Sequence, residues 1–249
     1  MEKNNGVKYC KNCEKILSGD YCNKCGQKAS IDKVTFKETF HDFTHTVFSV
    51  NAPLWSTLKL LAVNPGKLFR EYLSGRRKNY YKPVAFFIIT TLTYLVLRSL
   101  IKYDPMENQA IRQERVIDAT LFNDAGKFMV ANINNIMFLL VFTLGVFFKL
   151  FFYKRNSLAE LMAISFYLVG VYTLIGTLIM FYLKYVNQQF KMLPVLVFFV
   201  YVLFAFISFF KTKSIGAIAK ILIAYFLSYT FYVVFGYGLS LLIVWLKTK

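Results

Sequence analysis

The sequence predicts an all-α polytopic membrane protein, with about five transmembrane helices and a small N-terminal zinc-ribbon headpiece. Two observations concern composition: hydrophobic residues make up 57% of the 249 residues, and Glu160 is the one acidic residue beyond position 135. Long apolar runs with so few charges are typical of segments that cross a bilayer. The third observation is a pair of Cys-x-x-Cys motifs near the start of the chain, which predicts the headpiece.

The predicted chain order is a zinc ribbon over 1–30, cytoplasmic or interfacial amphipathic helices over 31–82, and a transmembrane helical domain over 83–249. Because the first residues lack the apolar core of a secretory signal, the first span is expected to direct insertion into the membrane. The last span is too long for one upright helix, so it is expected to tilt, protrude, or kink near Gly236 and Gly238. The five predicted spans are 83–101, 136–153, 158–183, 192–210 and 217–246.

The four cysteines form two matching motifs, "YCKNC" at 9–13 and "YCNKC" at 21–25. Each motif can turn two thiolates toward one ion, and Gly26 permits the turn that the second motif needs. Four thiolates in a tetrahedral set favour a structural Zn²⁺, because no coordination position is left open for catalysis. A rubredoxin-like iron site, a dithiol redox pair and disulfides are the alternatives. The predicted metal ligands are Cys10, Cys13, Cys22 and Cys25.

The segment between the headpiece and the first span is expected to form helices that lie outside the bilayer. Thr35 and Glu38 have the spacing of a capping box, and the amphipathic helix that they begin carries His41 and His45 on its polar face. Histidines at i and i+4 can bind a metal ion, but no metalloprotease motif surrounds them, and a stripe that faces solvent or headgroups is favoured. A further short helix is expected to end at Gly75.

A basic, tyrosine-rich stretch comes directly before the first span, in the sequence "REYLSGRRKNYYKPVAFF" at 70–87. Cations beside a span determine topology and contact anionic lipid headgroups. Scattered lysines would orient the chain equally well, so the ordered spacing of Gly75, Arg77 and Tyr80 indicates a further role. The residues expected at this interface are Gly75, Arg76, Arg77, Lys78, Tyr80 and Lys82.

The distribution of cations also predicts the topology. The polar segments before the first span, between the second and third, and between the fourth and fifth are more basic than the others. This bias places those segments and the N-terminus in the cytoplasm, and an odd number of spans then puts the C-terminus outside. Because the cations beyond residue 82 mostly lie beside spans, contact with lipid is favoured over nucleic-acid binding.

No arrangement of catalytic residues is found in the sequence. The polar stretch 102–135 holds no cysteine or histidine, and no nucleophile motif or phosphate-binding glycine loop occurs in the chain. Glu160 is a candidate for proton or cation coupling within the membrane. Its position three residues after Ser157 instead favours a capping role at the start of a helix. A non-enzymatic protein is therefore favoured.

Two strings of residues carry a family resemblance. One is the pair of cysteine motifs that ends in "CGQ", and the other consists of Pro65, Gly66, Tyr72, Leu73, Gly75, Arg77, Tyr80 or Tyr81, and Pro83. The combination resembles a bacterial family of predicted inner-membrane proteins, catalogued as domain of unknown function 3667 and found mostly in Bacteroidetes-type bacteria. The resemblance covers about residues 9–100 and implies a multi-pass protein of the bacterial inner (cytoplasmic) membrane, with no assigned activity. A cytoplasmic headpiece before five helices is also similar, more distantly, to Yip1-type membrane proteins, which act in trafficking and scaffolding.

Three functions are compatible with these patterns. The favoured one is a non-enzymatic scaffold or regulatory protein of the inner membrane, whose cytoplasmic zinc ribbon contacts a protein partner or docks on its own membrane domain. The first alternative is a transporter or lipid-acting protein that holds an anionic headgroup with the basic cluster 76–82. The second is a membrane-anchored zinc ribbon that binds nucleic acid, for which strongly salt-dependent binding is expected.

Overall fold

The computed structural model describes residues 8–30, 54–105, 120–187 and 189–248. Within these ranges the chain forms eight helices and two isolated β-bridges, and no longer strand. The helices are α1 (Leu54–Val63), α2 (Pro65–Leu73), α3 (Pro83–Leu100), α4 (Thr120–Ala131), α5 (Ile133–Phe151), α6 (Leu158–Tyr185), α7 (Leu193–Phe210) and α8 (Ile215–Thr248). The predicted all-α class is confirmed.

Four of these helices, α3, α6, α7 and α8, are long and apolar enough to cross a membrane. Helices α4 and α5 form a pair that is bent by 83° at a short break, and this pair makes a fifth candidate span if it is counted as one. The chain is therefore a multi-pass membrane protein with four or five candidate spans. Helix α4 was not predicted, because Asn123, Asp124 and Lys127 interrupt its apolar residues and hide it within a polar stretch.

The last helix, α8, runs for 34 residues without a break at Gly236 or Gly238. At about 1.5 Å per residue it is far longer than a hydrocarbon core of about 30 Å. The helix is continuous across both glycines, so its length is accommodated by tilt, by protrusion or by a bend within the helix. Gly236 is buried, and a Cβ there would stand 2.9 Å from Cγ2 of Ile136. Glycine at this position allows α8 to pack closely against α5.

The core of the membrane domain is centred on helix α6, in which every residue from 161 to 173 is buried. The hydroxyl of Tyr167 donates a hydrogen bond to the carbonyl of Tyr81, in the loop before α3. Helix α2 and that loop are therefore anchored in the core of the bundle. The ring of Tyr167 contacts three further rings, with centroids 5.7–6.1 Å away, which belong to Phe69, Tyr72 and Phe86.

Helix α2 is fixed against the C-terminal end of α7. Gly66 lies so close to α7 that a Cβ would overlap the backbone of Ser208 and Phe209. The guanidinium of Arg70 donates to the carbonyl oxygens of the same two residues. Carbonyls in the last turn of a helix have no partner within that helix, so Arg70 satisfies groups that would otherwise stay unpaired. This contact holds α2, and the loop after it, at one end of the bundle.

The segment between the headpiece and the first span is described only from residue 54 onward. The predicted capping box of Thr35 and Glu38, with the amphipathic helix that it begins, lies outside the described residues. The same is true of His41 and His45, so both features stay predictions. The end of the short helix is observed as expected: α2 stops just before Gly75, whose φ of +100° is a conformation that favours glycine.

Candidate metal centre and the loop that it contacts

Four thiol groups come together in the headpiece. The Sγ atoms of Cys10, Cys13, Cys22 and Cys25 all lie within 4.8 Å of one another. Cys10 Sγ lies 3.6 Å from Cys25 Sγ, and Cys13 Sγ lies 3.5 Å from Cys22 Sγ. Sulfur atoms about 2.3 Å from one tetrahedral ion stand about 3.8 Å apart. The four side chains therefore fit a single tetrahedral metal ion.

Two backbone turns with the same hydrogen bonds present these thiols. We call residues 9–16 the first knuckle and residues 21–28 the second knuckle, and an isolated β-bridge joins the two ends of each. Glu14 and Gly26, twelve positions apart, have φ of +62° and +68°. In each knuckle two backbone N–H groups donate to backbone carbonyls of the same knuckle. These bonds run from Cys10 to Lys15 and from Glu14 to Cys10 in the first knuckle, and from Cys22 to Gln27 and from Gly26 to Cys22 in the second. The sequence repeat is thus a structural repeat.

Backbone N–H groups stabilise negative charge on the thiols. The N–H groups of Cys25 and Lys24 donate to the sulfur of Cys22 and lower the pKa of Cys22 to about 6. The N–H of Lys15 acts in the same direction on Cys13, but burial and the neighbouring cysteine side chains raise the pKa of Cys13 to about 12. One thiol of the cluster thus ionises more easily than another, because like charges at these distances repel. A bound cation is what allows all four sulfurs to act as thiolates.

The donor set defines what the centre can do chemically. Four cysteine thiolates form the closed ligand set of structural zinc sites, which leaves no position for water or substrate. A metal ion held here would organise the fold of the headpiece and would supply no reactive group. The same sulfur set also binds iron, so zinc as the particular ion stays a prediction.

The second knuckle is joined to the membrane domain by one buried side chain, that of Gln27, which is 4% exposed. Its amide nitrogen donates to the carbonyl of Gly75 at 3.0 Å. Its amide oxygen accepts from the N–H groups of Arg77 and Lys78, at 3.2 and 3.1 Å. A buried polar group that is left unpaired costs about 1–3 kcal/mol. Gln27 therefore specifies how the headpiece sits on residues 74–82, which we call the docking loop.

The first knuckle contacts the same loop through exposed side chains. The carboxylate of Glu14 pairs with the guanidinium of Arg76 at 3.0 Å. The side-chain amide of Asn12 donates to that of Asn79 at 3.3 Å. An exposed ion pair contributes only about 0–1 kcal/mol. These contacts therefore orient the headpiece but stabilise it less than the buried amide of Gln27.

The docking loop is in turn fixed by the helices beneath it. The N–H of Tyr81 donates to Oγ1 of Thr57, on α1, at 2.8 Å. The hydroxyl of Tyr80 donates to the carboxylate of Glu71, on α2. Burial, together with this bond to Glu71, raises the pKa of Tyr80 above its ordinary value, so the hydroxyl keeps its proton. The loop is thus held by side chains of α1 and α2, and the headpiece rests on it.

The residues that the sequence predicted at the membrane interface contact the headpiece and the bundle. The guanidinium of Arg77 also lies over the ring of Tyr72, 5.5 Å from its centroid, and Lys82 is the N-cap residue of α3. The ordered spacing of Gly75, Arg77 and Tyr80, which topology does not require, coincides with these contacts. A lipid headgroup at this cluster stays a prediction. Four of the six residues contact the headpiece: Gly75, Arg76, Arg77 and Lys78.

The docking role of Gln27 is not predicted by the sequence. Two signals point to it in the sequence: it belongs to the "CGQ" string, and it breaks the repeat, since the first knuckle has Lys15 at the equivalent position. Neither signal identifies the partner, which lies 48 residues away at Gly75.

Glu160, the isolated carboxylate, has the capping role that its spacing from Ser157 predicts. Its N–H donates to Oγ of Ser157 at 3.2 Å, and its carboxylate accepts from the N–H of Ser157 at 3.0 Å. The side chain of Asn156 donates to the same carboxylate oxygen at 3.1 Å. The carboxylate thus closes the start of α6 and lies at the edge of the span.

Fold and site together define a multi-pass membrane protein with a four-cysteine headpiece. A family model described as "Protein of unknown function (DUF3667)" matches residues 52–95. This match confirms the family resemblance found in the sequence, and it includes α1, α2, the docking loop and most of α3. No curated protein and no solved structure matches the chain, so the distant likeness to Yip1-type proteins stays a prediction.

Proposed function

We propose that this chain is a non-enzymatic scaffold or regulatory membrane protein whose metal-organised headpiece docks on its own membrane domain. The observation that carries the proposal is the buried side chain of Gln27, which joins the second knuckle to the docking loop. A headpiece that served only an external partner would need no buried contact with the bundle.

The charge of a loaded metal centre also supports docking. Four thiolates around one divalent ion leave a net double negative charge, and the docking loop is rich in cations. Nζ of Lys78 lies 3.8 Å from the position that a Cβ would take at Gly26, the residue after Cys25. The basic loop thus balances the charge of the metal centre, in addition to the role at the membrane surface that topology predicts.

Metal binding and docking are coupled in this proposal. A headpiece this small buries too little surface to fold alone, so the metal supplies its folding free energy. The second knuckle presents Gln27 through the hydrogen bond from Cys22 N–H to the Gln27 carbonyl. Loss of the metal disrupts this turn and reduces the negative charge, because most of the thiols then take up protons, and the headpiece is released. A cytoplasmic headpiece, where thiols stay reduced, keeps the site available for metal.

Photo-crosslinking of the full-length protein tests the proposal. A benzophenone amino acid replaces Asn79 in the docking loop, and the same amino acid replaces Leu100, at the other end of α3, as the matched control. In metal-loaded protein the probe at 79 is expected to crosslink to residues 8–30, and the probe at 100 is not.

Chelation of the metal is expected to abolish the crosslink from position 79. A loaded protein without this crosslink would overturn docking, and a crosslink that survives complete removal of the metal would overturn the coupling.

A second candidate function, the binding of a protein partner, is favoured by the apolar surface of the headpiece. Tyr9, Ile16 and Tyr21 are 61%, 63% and 61% exposed, and the bridge between Tyr9 and Ile16 places two of them side by side. A polypeptide that co-purifies with the loaded protein and is lost from the Tyr9→Ser, Ile16→Ser double variant would support this function. Its unchanged recovery with the double variant would exclude this surface.

A further inference from the structure

The end of the bundle away from the headpiece contains a cavity lined by tyrosines. Helix α3 begins at the docking loop and runs for 18 residues, so its last turns lie about 27 Å from that loop. A cavity of about 210 Å³ lies in this far half. Its lining combines Tyr94 from α3, Tyr172 from α6, and Tyr229 and Tyr232 from α8, with Lys191 just before α7. All the spanning elements therefore converge on one space that offers several hydroxyl groups.

A second pocket, of about 370 Å³, adjoins the first, because Tyr103 lines both. Its polar lining includes Arg98, Lys102 and the side chain of Asn132. A pocket with a cationic rim thus lies beside an inner cavity whose walls are mostly aromatic and aliphatic.

The turn 101–105, which carries Tyr103, is held in place by cations. Four cationic side chains surround this turn, those of Arg98, Lys102, Lys184 and Lys191. The turn has Asp104 as its one carboxylate. Cations gathered around one turn repel one another, and a bound anion would relieve that repulsion. Three cationic side chains donate to carbonyls of the turn at 2.9–3.2 Å: Arg98 to Tyr103, Lys184 to Lys102, and Lys191 to Pro105.

We propose that the two pockets bind one anionic amphiphile, whose phosphate is held by Arg98 and Lys102 and whose apolar part enters the tyrosine-lined cavity. Tyrosine hydroxyls and the Lys191 ammonium are hydrogen-bond donors, so they suit the ester and phosphate oxygens of such a molecule. Among the described residues that line the inner cavity there is no carboxylate to repel it.

The apolar walls of the inner cavity favour a phospholipid as the source of this chemistry. An apolar cavity of about 150 Å³ accommodates benzene, so this one takes a segment of lipid somewhat larger than a six-carbon ring. A free phosphate ion would use the rim and leave the inner cavity without a role. The site lies at the opposite end of the bundle from the basic cluster 76–82, where the sequence predicted a headgroup.

Native mass spectrometry of the full-length protein in a neutral detergent tests the proposal. The probe is a phosphatidylglycerol, with a phosphatidylcholine of the same chains for comparison. The rim variant is Arg98→Gln with Lys102→Gln, and the matched control is Lys24→Gln with Lys28→Gln, which removes the same charge from two exposed side chains of the headpiece. A third variant, Gly176→Phe, fills the inner cavity, since Gly176 lines it and a Cβ there meets open space.

The rim variant and Gly176→Phe are each expected to weaken phosphatidylglycerol binding about tenfold or more, because charged hydrogen bonds and the filled cavity both act on the same molecule. The control variant is expected to bind as the unmodified chain does. Equal losses in the rim and control variants would overturn the proposal. So would binding that millimolar inorganic phosphate displaces and Gly176→Phe leaves unchanged, since the ligand would then be a soluble anion.

Discussion

The two knuckles of the headpiece are built alike but make different contacts. Each supplies two thiols and the same pair of backbone hydrogen bonds, twelve positions apart. Where the first knuckle has the exposed Lys15, the second has Gln27, buried against the docking loop. The shared features explain the metal centre, and the departure from the repeat explains how the centre is attached to the membrane domain.

The two knuckles also differ at the residue that has a left-handed backbone conformation, which is Glu14 in the first and Gly26 in the second. Gly26 adopts its φ of +68° without strain, whereas Glu14 adopts +62°, at a cost of about 1–2 kcal/mol for a residue with a Cβ. The side chain of Glu14 reaches Arg76 in the docking loop. The first knuckle thus combines a strained backbone with a weak docking contact, and the second combines a relaxed backbone with a strong one.

The largest expected effect comes from breaking what the knuckles share. Cys10→Ser and Cys22→Ser each remove one of four ligands, so both are expected to abolish stoichiometric metal binding, which contributes about 10–16 kcal/mol in small zinc domains. Metal content per purified chain, with protease sensitivity of residues 8–30, measures the loss. If one of these two variants kept its metal and the other lost it, the two knuckles would not be equivalent in metal binding.

An intermediate effect is expected at the left-handed positions. Gly26→Ala introduces a Cβ at positive φ and is expected to weaken metal affinity about 5- to 30-fold. Glu14→Gly is expected to strengthen it by a smaller factor, because the extra entropy that a glycine loses on folding offsets part of the relieved strain. Competition with a chromophoric chelator measures both. A change of the same sign in the two variants would show that backbone strain does not distinguish the knuckles.

The smallest effect is expected at the exposed ion pair. Glu14→Gln is expected to lower the crosslink from position 79 by about fivefold at most, since exposed pairs contribute about 0–1 kcal/mol, and the difference is expected to vanish in 1 M salt. Arg76→Gln added to Glu14→Gln is expected to cause no further loss, as a double-mutant cycle requires. An additional loss in the double variant would show that Arg76 docks the headpiece through another group.

The sequence predicted those parts of the molecule that depend on local patterns. The Cys-x-x-Cys spacing brings together Cys10, Cys13, Cys22 and Cys25, and long apolar runs mark the spans, because both signals lie within a few turns of chain. The sequence did not predict helix α4, because polar residues interrupt its apolar ones. The contact of Gln27 with Gly75 and the tyrosine-lined cavity were also missed, since each joins residues that are far apart in the chain. Only packing brings such residues together.

Amide hydrogen exchange at Arg77 and Lys78 tests the central claim most directly, because both N–H groups donate to the side chain of Gln27. In metal-loaded, full-length protein, Gln27→Ala is expected to speed their exchange about 5- to 150-fold, which corresponds to about 1–3 kcal/mol for a lost buried partner. Lys15→Ala, the matched change in the first knuckle, is expected to leave it unchanged, and chelation of the metal is expected to reproduce the effect of Gln27→Ala. Protection that persists in the Gln27→Ala variant, or equal acceleration by Lys15→Ala, would contradict the claim that the second knuckle docks the headpiece.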